Sequence, residues 1–234
     1  MRNHIAVSVV VLAVCAGVMR ADESKEAERL KECATVLGEV MGAPDEAIPD
    51  ELLARAECVA VVPAVKKAAL GFGGRFGRGA VSCRTGEKGG GPWGPPSMLT
   101  VGGGSFGLQL GGQSSDVVML VMNRKGIDYL IKNKFTLGGD ASAAAGPKGR
   151  SAAASTDLMM RAEILTYART RGLFAGVSLD GAVVKPDNDA NKRVYGRSVE
   201  AKKLLTQGGI ATPAAAAPFI QALAKYAPRN VSAK

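Results

Sequence analysis

Apolar residues recur at helical spacing in residues 24–41, where Ala27, Leu30, Ala34, Leu37 and Met41 alternate with Lys and Glu. This pattern predicts an amphipathic helix, ended by Gly42 and Pro44. A second short helix is expected at 48–56. The period then changes. Cys58-Val59-Ala60-Val61-Val62 is a continuous apolar run stopped by Pro63, the pattern of a buried strand. Residues 68–72, 80–84, 97–101, 105–110 and 116–122 predict further short strands separated by glycine turns. Their connections are too short for parallel crossovers, so antiparallel hairpins are expected. Further on, the pattern predicts a brief helix at 126–133 and an extended stretch at 135–145. Strands at 151–156 and 162–169 are expected to pair, and 173–184 to form a hairpin around Asp180-Gly181. Helices at 188–206 and 214–226 close the chain. The fold class expected is α+β: a curved antiparallel sheet or partial β-barrel with N-terminal and C-terminal helices.

The first residues read differently. Arg2 and His4 precede an apolar run from Ile5 to Met19, and the chain turns polar at Asp22. A basic start, a short apolar stretch and a small-residue exit at Ala16 or Ala21 describe a secretory signal peptide. The run is short for a membrane span of about 20 residues; an uncleaved anchor is the alternative. Cys15 sits in a weak lipoprotein-like context, with Val14 where a small residue is usual. The organisation expected is a signal peptide at 1–21, a folded domain at 22–206 and a helical tail at 207–234, in a periplasmic or secreted protein. Removing residues 1–21 takes Arg2 and Arg20 from a net charge of +9, leaving +7, and removes His4, the only histidine. Cys33, Cys58 and Cys83 remain. In an oxidising compartment a Cys58–Cys83 bridge is expected, since both lie in strand-like runs; three buried free thiols are the alternative.

Without histidine, Ser-His-Asp and Cys-His catalysis and His-based zinc motifs are lost. The acids are scattered or lie on predicted helices, so no enzymatic activity and no cofactor is expected. Gly102 to Gly107 fits G-x-G-x-x-G by letter, but a strand, not a helix, is expected to follow. Asp187-Asn188-Asp189-Ala190-Asn191 resembles the opening of a calcium loop, but Lys192 and Ser198 stand where Gly and Glu are required, and a helix cap explains it better. The basic residues of the glycine-rich region are more informative. Lys66, Lys67, Arg75, Arg78 and Arg84, beside bare glycine backbone, can cradle phosphate. Apolar loop residues near Trp93 could enter a lipid interface. Poor aromatic interleaving disfavours nucleic acid.

Several motifs together resemble one family. They are Val59-Ala60-Val61-Val62-Pro63, then Gly71 to Gly79, then Trp93-Gly94-Pro95-Pro96. Gly138-Gly139-Asp140, Gly146-Pro147-Lys148-Gly149-Arg150 and Gly172 to Gly181 follow in the same order. Their order and content are similar to a SYLF domain over roughly residues 25–200, of the bacterial exported type. The resemblance implies a lipid-binding module, phosphoinositide-binding in eukaryotic members. It implies anionic phospholipid or a membrane surface as partner, with an acidic envelope protein or polysaccharide as the alternative.

Overall fold

The computed structural model describes residues 25–42, 47–86, 89–147, 162–170 and 173–228. The expected signal peptide and the expected strand at 151–156 lie outside the described residues. Residues 25–42 form helix α1. Its buried stripe of Leu30, Cys33, Val36, Leu37, Val40 and Met41 follows the helical period. Buried Glu26 is held by Arg29 and by Arg193, whose Nη2 lies 2.8 Å away. Helix α2 is Asp50–Arg55.

The glycine-rich region forms two long strands, not several short ones. β1 runs Cys58–Cys83 and β2 Ser97–Val121, paired antiparallel along nearly their whole length. The glycines between the predicted short strands do not turn the chain. They sit inside the ladder, with Gly73 opposite Ser105, Gly74 opposite Gly104 and Gly77 opposite Val101. Register shifts at Val62/Val65 and Ala69/Gly71 bend the ribbon. Pro63 lies at the first, where a missing N–H does no harm. The next residue, Ala64, has a φ of 47°, and its N–H donates to Asp116 Oδ1 at 2.9 Å.

The free edge of β2 is shared by two strands. β5 (Ile164–Thr170) pairs with Asp116–Val121, and β7 (Val183–Pro186) with Leu99–Gly102. β3 (Phe135–Thr136) pairs with β7, and β6 (Leu173–Gly176) with β5. β4 (Ala143–Ala145) joins β5 in parallel, a departure from the expected antiparallel order. The hairpin expected at 173–184 does not form: β6 and β7 pair with different partners. The G-x-G-x-x-G letters fall within β2, with no helix following.

Where β1 and β2 carry their apolar runs, the sheet is buried on both faces. Val59, Val61, Ala80, Val118, Leu120, Leu165 and Tyr167 pack with α1, α2 and the last helix, α5 (Ala217–Tyr226). This is called the helix face. Cys58, Ala60, Val62, Val65, Val81 and Cys83 form the opposite face, with Val101, Met119 and Val184, against α3 (Arg124–Leu130) and the π-helical turn Lys203–Gln207. The result is an α+β fold with a strongly curled open sheet and helices at both ends of the described chain. The helix expected at 188–206 is interrupted. α4 (Asn188–Tyr195) is capped by Asp187, which accepts from the Ala190 N–H at 3.1 Å, and stops at Gly196 in the left-handed region, φ 65°. The aspartates that resembled a calcium loop are thus an N-cap.

Cys58 and Cys83 are joined by a disulfide, their Cα atoms 3.9 Å apart. Cys33 is a buried free thiol that donates to the Val61 carbonyl at 3.3 Å. Burial pushes this thiol up to about 12.

Candidate functional site

The disulfide joins the two ends of one strand, so β1 curls until its limbs meet. Glycine makes the meeting possible. A Cβ on Gly79 would fall against the Val61 carbonyl oxygen and 2.7 Å from Val62 Cα. A Cβ on Gly77 would lie 2.7 Å from Val65 Cγ2 and 2.8 Å from Val62 Cγ1. Real side chains do not tolerate such separations, so only a bare backbone lets the limbs approach. The contacts also have a direction. Cys83 meets Cys58, Gly79 meets Val61 and Val62, and Gly77 meets Val62 and Val65. The limbs therefore run past each other in opposite directions.

This contact gathers residues far apart in sequence. Lys66, Lys67, Arg75 and Arg78 all lie within two residues of the Val65–Gly77 contact, about 7 Å of strand at 3.3 Å per residue. Alternation divides them. Arg75 lies on the face of Gly77, Gly79 and Val81, and Lys67 on that of Val65, so both are on the disulfide face. Phe76 and Arg78 lie on the face of Ala80, with the Arg78 guanidinium 5.6 Å from the Phe76 ring centroid. Lys66 and Arg78 are exposed, and Phe76 is 52% exposed. Lys67 and Arg75 are half-buried. Among the described residues no carboxylate is paired with any of the four. The acid nearest along the ladder, Asp116, is committed to Arg169 at 2.8 Å and to the Ala64 N–H.

Two predicted site residues are elsewhere. Arg84 and Trp93 are 5% and 6% exposed and lie on the helix face, withdrawn from any lipid interface. The guanidinium stacks 4.2 Å from the Trp93 ring centroid. Its Nε donates to the Ala56 carbonyl at 3.2 Å and its Nη2 to the Ala227 carbonyl at 2.8 Å. Trp93 Nε1 donates to the same Ala227 oxygen at 3.0 Å. The pair closes the C-terminal end of α5, whose last carbonyls lack partners within the helix. Burial pulls the Arg84 guanidinium down to about 10, while the charge of Glu57 pushes the other way. Expectation and structure part here because Arg84 looks like its basic neighbours locally, and its partner stands 143 residues away.

Residues that the sequence reading passed over surround the limb contact. Gln113 is the register partner of Lys67 and Ser115 that of Val65. Ser115 Oγ lies 2.6 Å from Thr170 Oγ1, and Gln113 Nε2 donates to the same hydroxyl at 3.4 Å. Leu173, 70% exposed, pairs with Thr170 at the sheet edge. No signal short of the strand register could have placed these side chains together.

The quoted glycine motifs have structural reasons. A Cβ on Gly146 would fall within the Tyr167 ring, and one on Gly176 would lie 2.8 Å from Gly146 C. Gly138, at φ 77°, lies against the carboxylate of Asp180, which accepts from Ser178 Oγ at 2.6 Å. A family model described as Ysc84, a Las17-binding protein actin regulator, matches residues 102–226, more than half of the chain. The chain belongs to the Ysc84 family. This is the SYLF family of the sequence resemblance. Within the Ysc84 family it is similar to LAS seventeen-binding protein 3 of Saccharomyces cerevisiae, with 33% identity over 89% of this chain and 46% of that protein. An SH3 domain-containing protein of Schizosaccharomyces pombe is 38% identical over 76% of this chain and 41% of its own length. SH3 domain-containing YSC84-like protein 1 of Bos taurus is 30% identical over 89% of this chain and 59% of its own. The chain thus spans about half the length of these relatives.

Proposed function

We propose that this chain is a non-catalytic binding module that attaches to anionic phospholipid surfaces through the limb contact of β1, in a periplasmic or secreted setting. One observation carries the reading: Lys66, Lys67, Arg75 and Arg78 are gathered at one place with no carboxylate paired to them among the described residues. Exposed Phe76 beside Arg78 adds an apolar group able to enter a lipid interface. Each basic residue near an anionic leaflet contributes about 1 kcal/mol. Replacing all four by Ala is then expected to weaken binding by roughly two to three orders of magnitude. Co-sedimentation with anionic and neutral liposomes at low salt tests this. Binding should prefer the anionic vesicles, fall as salt screens the charges, and fall in the quadruple variant. Equal binding to neutral vesicles refutes the reading.

A second reading is favoured by the family description, which names a Las17-binding actin regulator. Here the same basic residues meet an acidic protein or polysaccharide. Capture of a partner that survives detergent, lost in the quadruple variant, would support it over lipid.

A further inference from the structure

We propose that Asp116 is a positioning residue for the limb contact of β1, and that Arg169 and Glu39 tie its action to the docking of α1. This rests on the anionic-surface reading above and deepens it. The register break at Val62/Val65 is a bulge. Val62 pairs with Val117 and Val65 with Ser115, so Pro63 and Ala64 together face Asp116 alone. The extra residue shifts the alternation of everything after it. Cys58, Ala60 and Val62 lie on the disulfide face, and beyond the bulge Val65 does too. Lys67 follows Val65 on that face, and Lys66 takes the other. Without the bulge the two lysines would exchange faces.

The bulge needs an outside hold. Among the described residues Ala64, at φ 47°, is the only non-glycine in the left-handed region, which alanine disfavours. Ala64 is exposed, so packing does not keep it there. Its N–H donates to Asp116 Oδ1 at 2.9 Å. Asp116 Oδ2 accepts from Arg169 Nε at 3.1 Å and from Arg169 Nη2 at 2.8 Å. Arg169 Nη2 also pairs with Glu39 of α1. One chain of charged groups thus runs from α1 through β5 to the bulge. Asp116 and Arg169 are half-buried, which limits screening of their pair, whereas Glu39 is exposed and holds less strongly. Charge and position make opposite predictions at Asp116. Asp116→Asn raises the net charge by one, so general attraction to an anionic surface grows. It also removes the ion pair that fixes the group holding Ala64, so the kink loosens and Lys66 and Lys67 leave their places. Positioning therefore predicts weaker binding from a more positive protein.

The test uses the full chain at low salt with vesicles of phosphatidylcholine alone and of phosphatidylcholine with phosphatidylglycerol. Asp116→Asn is expected to bind the anionic vesicles about fivefold more weakly than the wild type, the worth of one basic contact. Its amide can still accept from Ala64, which guards against misfolding. Asp116→Ala removes that acceptor too and should lose about 25-fold, the worth of two contacts. Glu39→Gln should lose about twofold. Glu28→Gln, a matched charge change elsewhere on α1, should bind no more weakly than the wild type. Equal binding by these two variants removes α1 from the chain. Glycine adopts positive φ freely, so adding Ala64→Gly to Asp116→Asn should return binding to within about twofold of the wild type. A defect confined to the unpaired Arg169 is not repaired at residue 64. Hydrogen exchange at the amides of residues 65–67 is the lipid-free arm. It should speed up in Asp116→Asn and slow again when Ala64→Gly is added. If Asp116→Asn binds anionic vesicles as well as the wild type or better, the positioning role is overturned. Weak binding that Ala64→Gly does not repair overturns it as well. If the wild type shows no preference for anionic vesicles, the surface reading fails and the exchange arm alone decides. Faster exchange reversed by glycine then keeps the hold on Ala64, and unchanged exchange removes it.

Discussion

Replacing Gly79 by Ala adds one methyl group where the two limbs of β1 touch. Its Cβ would stand 2.7 Å from Val62 Cα and 2.9 Å from the Val61 carbonyl carbon, with the carbonyl oxygen nearer still. Ordinary carbon contacts begin near 3.4 Å, so the limbs must separate by about 0.7 Å or more. All three opposing atoms are backbone, so no side-chain rotation relieves the clash. Nor can the limbs part freely, because Cys83 lies four residues along and is bonded to Cys58. Overpacking of this kind costs about 1–3 kcal/mol, and the rigid surroundings place Gly79→Ala at the upper end. For a domain of this size, about 3 kcal/mol lowers Tm by roughly 6–12 °C. Denaturant unfolding should show a lower midpoint with an unchanged slope. Gly104→Ala is the control. Gly104 is exposed in β2, and an added Cβ there meets nothing within 4 Å. That variant should match the wild type or exceed it slightly through the unfolded chain's lost freedom. If Gly79→Ala melts within about 1 °C of the Gly104→Ala variant, the limb contact described here is wrong.

Three further outcomes follow from the same geometry. Arg84→Ala should destabilise the fold by about 3 kcal/mol, because it strips the donor from the buried Ala56 carbonyl, one of two donors from Ala227 and the stack from Trp93, and it should leave binding to anionic vesicles unchanged; loss of that binding at normal stability would contradict the buried role. Replacing Cys58 and Cys83 together by Ala should cost about 3.5 kcal/mol from loop-closure entropy over 25 residues, measured by denaturant unfolding, and an unchanged midpoint would rule out the bond as a constraint. The raised Cys33 thiol contributes stability that is full below the ordinary value near 9 and is lost as pH rises toward about 12; Cys33→Ala should therefore lose less Tm than the wild type between pH 8 and pH 11, and equal losses would refute the assignment.

Much of this was legible along the chain. The apolar runs at 58–62, 80–84, 97–101 and 116–122 lie in strands, and both terminal helical regions carry the expected stripes. What the pattern could not separate was a glycine that turns the chain from one that admits a neighbouring backbone. Both break hydrophobic periodicity in the same way. Gly77 and Gly79 therefore read as turns and proved to be points of contact within an unbroken strand. The hairpin expected around Asp180-Gly181 fails for a related reason: a turn is local, but the partners of β6 and β7 are chosen by the edge of β2 and by β5. At the candidate site, Lys66, Lys67, Arg75 and Arg78 read as residues of the connections between short strands, whereas all four lie within β1, and their proximity depends on a contact between residues twelve apart in sequence. Arg84 had one available signal. It follows Ala80 and Ser82 on the alternating pattern, both fully buried, which places it on a packed face.

The closure of α5 by Arg84 and Trp93 also equips the molecule with an optical reporter. Trp93 is the single tryptophan, and its indole touches the last helix and the end of β1 at once. Its emission therefore reads the docking of the C-terminal helix, while circular dichroism reads the sheet and helices together. If the two signals unfold at one midpoint, the helix layer and the curled ribbon form a single cooperative unit. If the tryptophan signal moves first, the final helix leaves before the strands part, and the order of disassembly becomes visible without any added label.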